Sequence, residues 1–345
     1  MHPLEKKESL FIKTFTWIVF IVFFLVISFN YISDSFLIFH QQPILFQASF
    51  EPNSRVLKTK YLRKNCRRFN AFIFGTSRAV AYRTKDINQQ FGVRSYNFGV
   101  AEETPRGIIE KLVWLDSKNC MPKTVFLPVS SDSTLFLRDS SKKPFNLVTM
   151  EHPWVVKKAS YWIDFLITYL TSRAVTKINV KKQRNYYGTR TRFQYDMSTG
   201  DVFYLWEKKF PITDCARSSR TPPNKIPSGL AFQPEELAAQ LIKIKVFTEE
   251  RGSQIVLIWN PLPLDLQIQN LDKTEILLKK LSHHFQYLYR LPLSDKKLLD
   301  HVNYHDMSHF KSSIAKKAIA LKNKTFVRVF VDELKKHQGT CDLSN

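Results

Sequence analysis

A serine and a histidine–carboxylate pair frame the chemistry this chain could perform. Phe72-Ile73-Phe74-Gly75-Thr76-Ser77-Arg78 reads as a buried strand running into a tight turn that exposes one hydroxyl. Far along the chain, Asp306-Met307-Ser308-His309 sets a carboxylate three residues before an imidazole. A serine hydroxyl is a weak nucleophile at neutral pH. It needs a base within hydrogen-bond reach and a third group that orients the base. One turn of chain can aim Asp306 and His309 the same way, the carboxylate holding one ring nitrogen and the other nitrogen facing the serine. Backbone N–H groups where the turn enters a helix could stabilise an oxyanion. Taken alone, Gly75-Thr76-Ser77 equally suits a helix cap or an anion-cradling turn, and the Asp–His pair equally suits a polar loop. Ala79 excludes a G-x-S-x-G elbow.

The elements around these residues favour chemistry. Glycine is scarce, nine in 345 residues, so its positions are informative. Ala71–Phe74 is a short apolar run ending in Gly75, and Ser95–Phe98 ends in Gly99. A helix is expected over Ala79–Phe91, closed by Gly92. A second is expected from Pro105, capped by Thr104 and burying Ile108, Ile109, Leu112 and Leu115. Thr124–Leu127 reads as a third strand. The rhythm resumes at Pro234 with a helix burying Leu237, Leu241, Ile244 and Thr248 and stopped at Gly252. Strands follow over Gln254–Trp259 and Tyr287–Leu291, with helices around Ile276–Leu281 and Ile314–Leu321. Such alternation predicts an α/β fold, a three-layer α/β/α sandwich around a central parallel sheet. Sites in such sheets form outside the carboxyl ends of the strands, where Ser77 and Gly99 both fall.

Ahead of this domain, Thr14 to Ser33 carries no charge. About 20 such residues, at ~1.5 Å each, cross a bilayer's hydrocarbon core. Lys6, Lys7 and Lys13 precede the run, and no Lys or Arg follows it before Arg55. The positive-inside bias therefore predicts a single-pass anchor, in a bacterium one of the inner membrane, amino terminus cytoplasmic and body periplasmic or extracellular. With no small-residue cleavage site after it, the segment is expected to be retained. The expected organisation is a cytoplasmic tail (1–13), anchor (14–33), neck (34–70), α/β domain (71–325) and C-terminal tail (326–345). Residues 133–232, rich in interleaved aromatics and bases such as Tyr186, Tyr187, Arg190 and Arg192, break the rhythm. They are expected to form an insertion between the third and fourth strands, helical over Ala159–Ala174.

A net charge of +22 implies attraction to anions. With the body outside the cytoplasm, an envelope polysaccharide, another anionic polymer or lipid head groups fit better than nucleic acid. The apolar share of 44% argues against long disorder. Cys66, Cys120, Cys215 and Cys341 show no C-x-x-C spacing, which disfavours a zinc knuckle, and an even number is compatible with disulfides of unread connectivity.

Gly75-Thr76-Ser77, Tyr96-Asn97-Phe98-Gly99 and Asp306-Met307-Ser308-His309 resemble, in order, the first, second and last blocks of the SGNH (GDSL-like) hydrolases. The resemblance spans about residues 71–322. It is closest to the membrane-anchored envelope branch, which includes teichoic acid D-alanylation and polysaccharide O-acetylation proteins. It implies Ser77 as nucleophile, His309 as base and Asp306 as its orienting carboxylate. Backbone N–H groups of Ser77 and Gly99 would line the oxyanion hole, and no cofactor is implied. The implied activity is a serine esterase or O-acyltransferase working on an acyl ester of an envelope glycan or polymer. Two departures stand out. Thr76 replaces the family's usual Asp, and no G-x-N-D block follows the third strand, where Ser130, Ser131 and Asp132 stand instead.

Two other functions compete. His301, His305 and His309 recur every four residues, which on a continuous helix would align three imidazoles for a metal, although Asn303, Tyr304 and Asp306 favour a loop. A non-catalytic envelope protein could instead bind an anionic or glycan polymer through residues 133–232.

Overall fold

Parallel strands buried on both faces organise the chain. The computed structural model describes residues 3–40, 52–130, 147, 149–184, 193–204, 233–263, 267, 270–292, 304, 310–321, 324–326, 329–330 and 332–333. Pro3–Ser33 is one helix, α1, and its segment Glu8–Ser33 is long and apolar enough to cross a membrane. Its apolar side chains from Leu10 to Leu25 are exposed. Ser54–Asn65 forms α2, on which Val56, Lys58, Thr59 and Leu62 are all buried.

The sheet begins with Ala71–Ile73 (β1), followed by Thr84–Phe91 (α3) and Ser95–Asn97 (β2). Gly92 ends α3 in the left-handed conformation at φ +63°, as expected of a glycine past the last helical residue. Pro105–Asp116 (α4) starts as its sequence requires, Thr104 Oγ1 accepting the Gly107 N–H at 2.9 Å. Thr124–Val129 (β3) follows, and every residue of β1, β2 and β3 is buried. That explains their continuous rather than alternating apolar pattern.

Pro153–Val156 (α5), Ala159–Thr171 (α6) and Arg173–Arg184 (α7) come next, then an antiparallel hairpin of Phe193–Asp196 (β4) and Asp201–Tyr204 (β5). Pro234–Glu249 (α8) buries the expected stripe of Leu237, Leu241, Ile244 and Thr248. Gln254–Trp259 (β6), Leu271–Leu281 (α9), Tyr287–Tyr289 (β7), Ser312–Ala318 (α10) and Lys324–Phe326 (β8) complete the order. Among the described residues the larger sheet runs β2-β1-β3-β6-β7-β8, parallel throughout except that β8 pairs antiparallel to β7. The fold is α/β with a mostly parallel central sheet.

Two compact units emerge. Met1–Leu57 with Pro144–Arg192 form the first, and Lys58–Lys143 with Phe193–Asn345 the second. The expected neck (34–70) is thus divided within α2, and the expected insertion (133–232) is divided too. Helices α5 to α7 belong to the first unit, and the β4–β5 hairpin belongs to the second. The core of the first unit gathers Phe36, Ile38, Val56, Met150, Phe165, Tyr169 and Val175. In the second unit a disulfide joins Cys66, just past α2, to Cys120, just past α4, with Cα atoms 5.8 Å apart. Within the stretch expected as a C-terminal tail, Phe330 is fully buried, its ring 5.5 Å from that of Trp259 and 4.5 Å from the Arg290 guanidinium.

Candidate active site

Ser77 stands where strand β1 gives way to a turn. Phe74 still pairs with its neighbour, donating to Phe126 O at 3.0 Å. Gly75 then takes φ +141°, a conformation that side chains rarely adopt, and a Cβ there would lie 3.0 Å from Ala79 Cβ. Ser77 opens a 3-10 turn over Ser77–Ala81, with Ala79 N–H donating to Thr76 O at 2.9 Å. Ser77 is half-buried, and the four residues after it are buried.

The helix expected from Ala79 starts later, at Thr84, and Asn97 supplies the reason. Its side-chain amide donates to the carbonyls of Ala79 and Tyr82, both at 3.0 Å. Those are acceptors that an unbroken helix would use for its own N–H groups four residues on. Asn97 Oδ1 also accepts the Gly99 N–H at 3.0 Å. The turn after β2 is thereby locked to the turn after β1, and Val100 N–H adds a bond to Gly75 O at 3.0 Å. Gly99 must be glycine, since a Cβ would meet Ala79 Cβ at 2.7 Å. The Gly99 N–H, expected to face an oxyanion, is engaged by Asn97 in this conformation.

A buried charge network lies behind Gly99. Lys58 Nζ donates to Gly99 O at 2.6 Å. Burial pulls the Lys58 ammonium down to about 7, with Asp201 and Glu103 opposing and Lys111 reinforcing the shift. Lys111 pairs with Glu103, both side chains fully buried, and the ammonium also sits 5.1 Å from the Phe98 ring. Asp201 accepts from Thr84 Oγ1 at 2.8 Å and from Thr84 N–H. Burial raises its carboxyl above the usual range despite those bonds and the nearby Arg83 and Lys58.

Asp306 and His309 lie outside the described residues, as do His301, His305, Ser131, Asp132, Arg190 and Arg192. The described residues flanking the Asp–His segment are informative by themselves. Tyr304 and Phe310 pair through an antiparallel bridge. The buried Phe310 ring packs edge-on against Tyr82, centroids 5.8 Å apart, five residues beyond Ser77. Tyr82 in turn donates to Asn260 Oδ1 at 3.0 Å, at the carboxyl end of β6. Burial, foremost, raises the Tyr82 phenol well above its ordinary value. At the end of β3, Ser130 Oγ accepts from Arg78 Nη1 at 2.9 Å. Among the described residues no group of three or more His, Cys, Asp or Glu could hold a metal ion.

Sequence reasoning missed Lys58, Lys111 and the clamping role of Asn97. A helical signal existed for both lysines. Lys58 falls four residues before Leu62 on α2, and Lys111 three after Ile108 and four before Leu115 on α4, each on an apolar stripe. No family model matches this chain, and neither a curated protein nor a solved structure matches it.

Proposed function

We propose that the chain is a membrane-anchored serine esterase or O-acyltransferase of the SGNH type, acting on an acyl ester of an envelope glycan or polymer. Ser77 Oγ attacks the acyl carbonyl carbon while His309, oriented by Asp306, takes the hydroxyl proton. The oxyanion is held by backbone N–H groups, that of Ser77 first. Gly99 joins only by turning its N–H from Asn97 Oδ1. Collapse expels the alcohol, which leaves with the proton from His309. Water or an acceptor hydroxyl then cleaves the acyl-enzyme by the same steps in reverse.

The observation that carries this proposal is the position of Ser77. It begins a turn at the carboxyl end of a central parallel strand, tied through Asn97 to the turn after the neighbouring strand. The Tyr304–Phe310 bridge, packed on Tyr82, supports a partner segment at the same end of the sheet. A three-layer sandwich, with the segment between β3 and β6 as an insertion, belongs to the same proposal. So does an extracytoplasmic body on a single span, for which the Cys66–Cys120 disulfide is chemically apt. The test is hydrolysis of 4-nitrophenyl acetate by the purified full chain. Ser77→Ala is expected to lower the rate by roughly 10³-fold or more. Equal rates for the two proteins would remove the enzymatic proposal.

A further inference from the structure

The first unit carries an apolar surface that its own core does not use. We infer that the α6–α7 hairpin is a second membrane-contacting element, seated in the head-group and outer acyl region of the leaflet from which α1 emerges. The inference rests on the proposal that α1 spans the membrane. Its ligand is the bilayer itself.

The first observation is where the hairpin touches α1. From Leu10 to Leu25 the apolar side chains of α1 are exposed, whereas Val26, Ile27 and Phe29 are half-buried and Asn30 and Ser33 are buried. Asn30 Nδ2 donates to Leu170 O at 2.6 Å at the end of α6. Its Oδ1 accepts from Thr176 Oγ1 at 3.1 Å and Asn179 Nδ2 at 3.2 Å, both on α7. A span of about 20 residues starting at Thr14 ends near Ser33. The hairpin therefore packs on the last turns of the span rather than beyond them. A polar asparagine at that depth finds three hydrogen bonds on the two helices, as a side chain near hydrocarbon needs.

The second observation is what the hairpin leaves uncovered. Helix α6 has one charged residue, Asp164, in thirteen. Phe165 and Tyr169 point into the core, while Trp162, Ile163 and Ile167 are 38%, 62% and 56% exposed. Trp162 clusters with Trp154, ring centroids 6.4 Å apart, and with His152. Exposed cations bracket this surface, Lys157 and Lys158 before α6 and Arg173 and Lys177 on α7. Tryptophan and aliphatic side chains flanked by lysine and arginine match the boundary between acyl chains and anionic head groups. The bonds that hold α6 and α7 to Asn30, on the last turns of α1, select the bilayer over other occupants.

Full-length protein with Cys215→Ser and Cys341→Ser tests this. Single cysteines replacing Ile163, Ile167, Phe20 or Lys273 are labelled with an environment-sensitive fluorophore. The proteins are reconstituted into phosphatidylethanolamine–phosphatidylglycerol vesicles, some with lipids brominated in the acyl chains near the head group. Labels at 163 and 167 are expected to be quenched several-fold more than the label at Lys273, which is exposed on α9. If 163 and 167 match Lys273 while Phe20 is quenched, the hairpin proposal falls and the anchor stands. If Phe20 is also unquenched, both fall.

Discussion

Asn97 holds the carbonyl of Ala79, its side-chain amide donating across 3.0 Å to a residue two positions beyond Ser77. The same side chain holds Tyr82 O and the Gly99 N–H, so three buried bonds converge on one fully buried amide. Asn97→Ala is expected to destabilise the protein by about 3 kcal/mol, since each net bond contributes about 1 and unmet buried partners cost more. Urea unfolding measures this. A loss below about 1 kcal/mol would show that the turn carrying Ser77 is held by other contacts.

Lys58 makes stability depend on pH in a distinctive direction. Its ordinary value of 10.5 is lowered to about 7 by burial, so above pH 7 the unfolded chain binds the extra proton. The Lys58 contribution to stability is therefore lowest below pH 7 and rises toward pH 10, by up to about 1.4 kcal/mol per pH unit. Tyr82 and Tyr96, whose phenols are raised by burial, reverse the trend above pH ~10, where the unfolded phenols ionise first. Denaturant unfolding of the wild type and Lys58→Met between pH 7 and 9.5 isolates the lysine. The rise is expected in the wild type and largely absent in the variant.

The Glu103–Lys111 pair is expected to be strongly asymmetric under mutation. Both side chains are fully buried. Glu103→Gln takes the carboxylate from a desolvated ammonium and is expected to cost about 3–5 kcal/mol. The double change Glu103→Leu with Lys111→Met removes both charges and is expected to lie near neutral. A thermodynamic double-mutant cycle gives the comparison. A double variant as unstable as Glu103→Gln would contradict it.

Cys66 and Cys120, 54 residues apart, close a loop that contains Ser77 and Gly99. Loop-closure entropy assigns such a crosslink about 4 kcal/mol. Reduction, or Cys66→Ser, is expected to lower the unfolding midpoint accordingly. Non-reducing peptide mapping should recover the Cys66–Cys120 crosslink.

Much of the sheet was legible because short apolar runs bounded by glycine or proline leave few alternatives. Ala71–Phe74, Ser95–Phe98, Thr124–Leu127 and Gln254–Trp259 all became strands, and the Thr104 cap formed as written. The start of α3 was illegible, because it is fixed by Asn97 reaching across from another strand. The edge strand Lys324–Phe326 is too short and polar to announce itself. A pattern that treats every charge as solvated also hides Lys58, Glu103 and Lys111. The two-unit division escaped because the first unit joins segments far apart in sequence. At the candidate site the placement of Ser77 at a strand end was readable, whereas its tie to Gly99 through a side-chain amide was not.

The most direct test of the account is covalent. Full-length protein treated with a fluorophosphonate, digested and examined by mass spectrometry is expected to carry one phosphonyl adduct, on the peptide bearing Ser77. The adduct should vanish in Ser77→Ala and weaken sharply in His309→Ala. An unmodified Ser77 in protein shown to be folded, or labelling that persists in Ser77→Ala, would contradict the claim that this hydroxyl is an activated nucleophile.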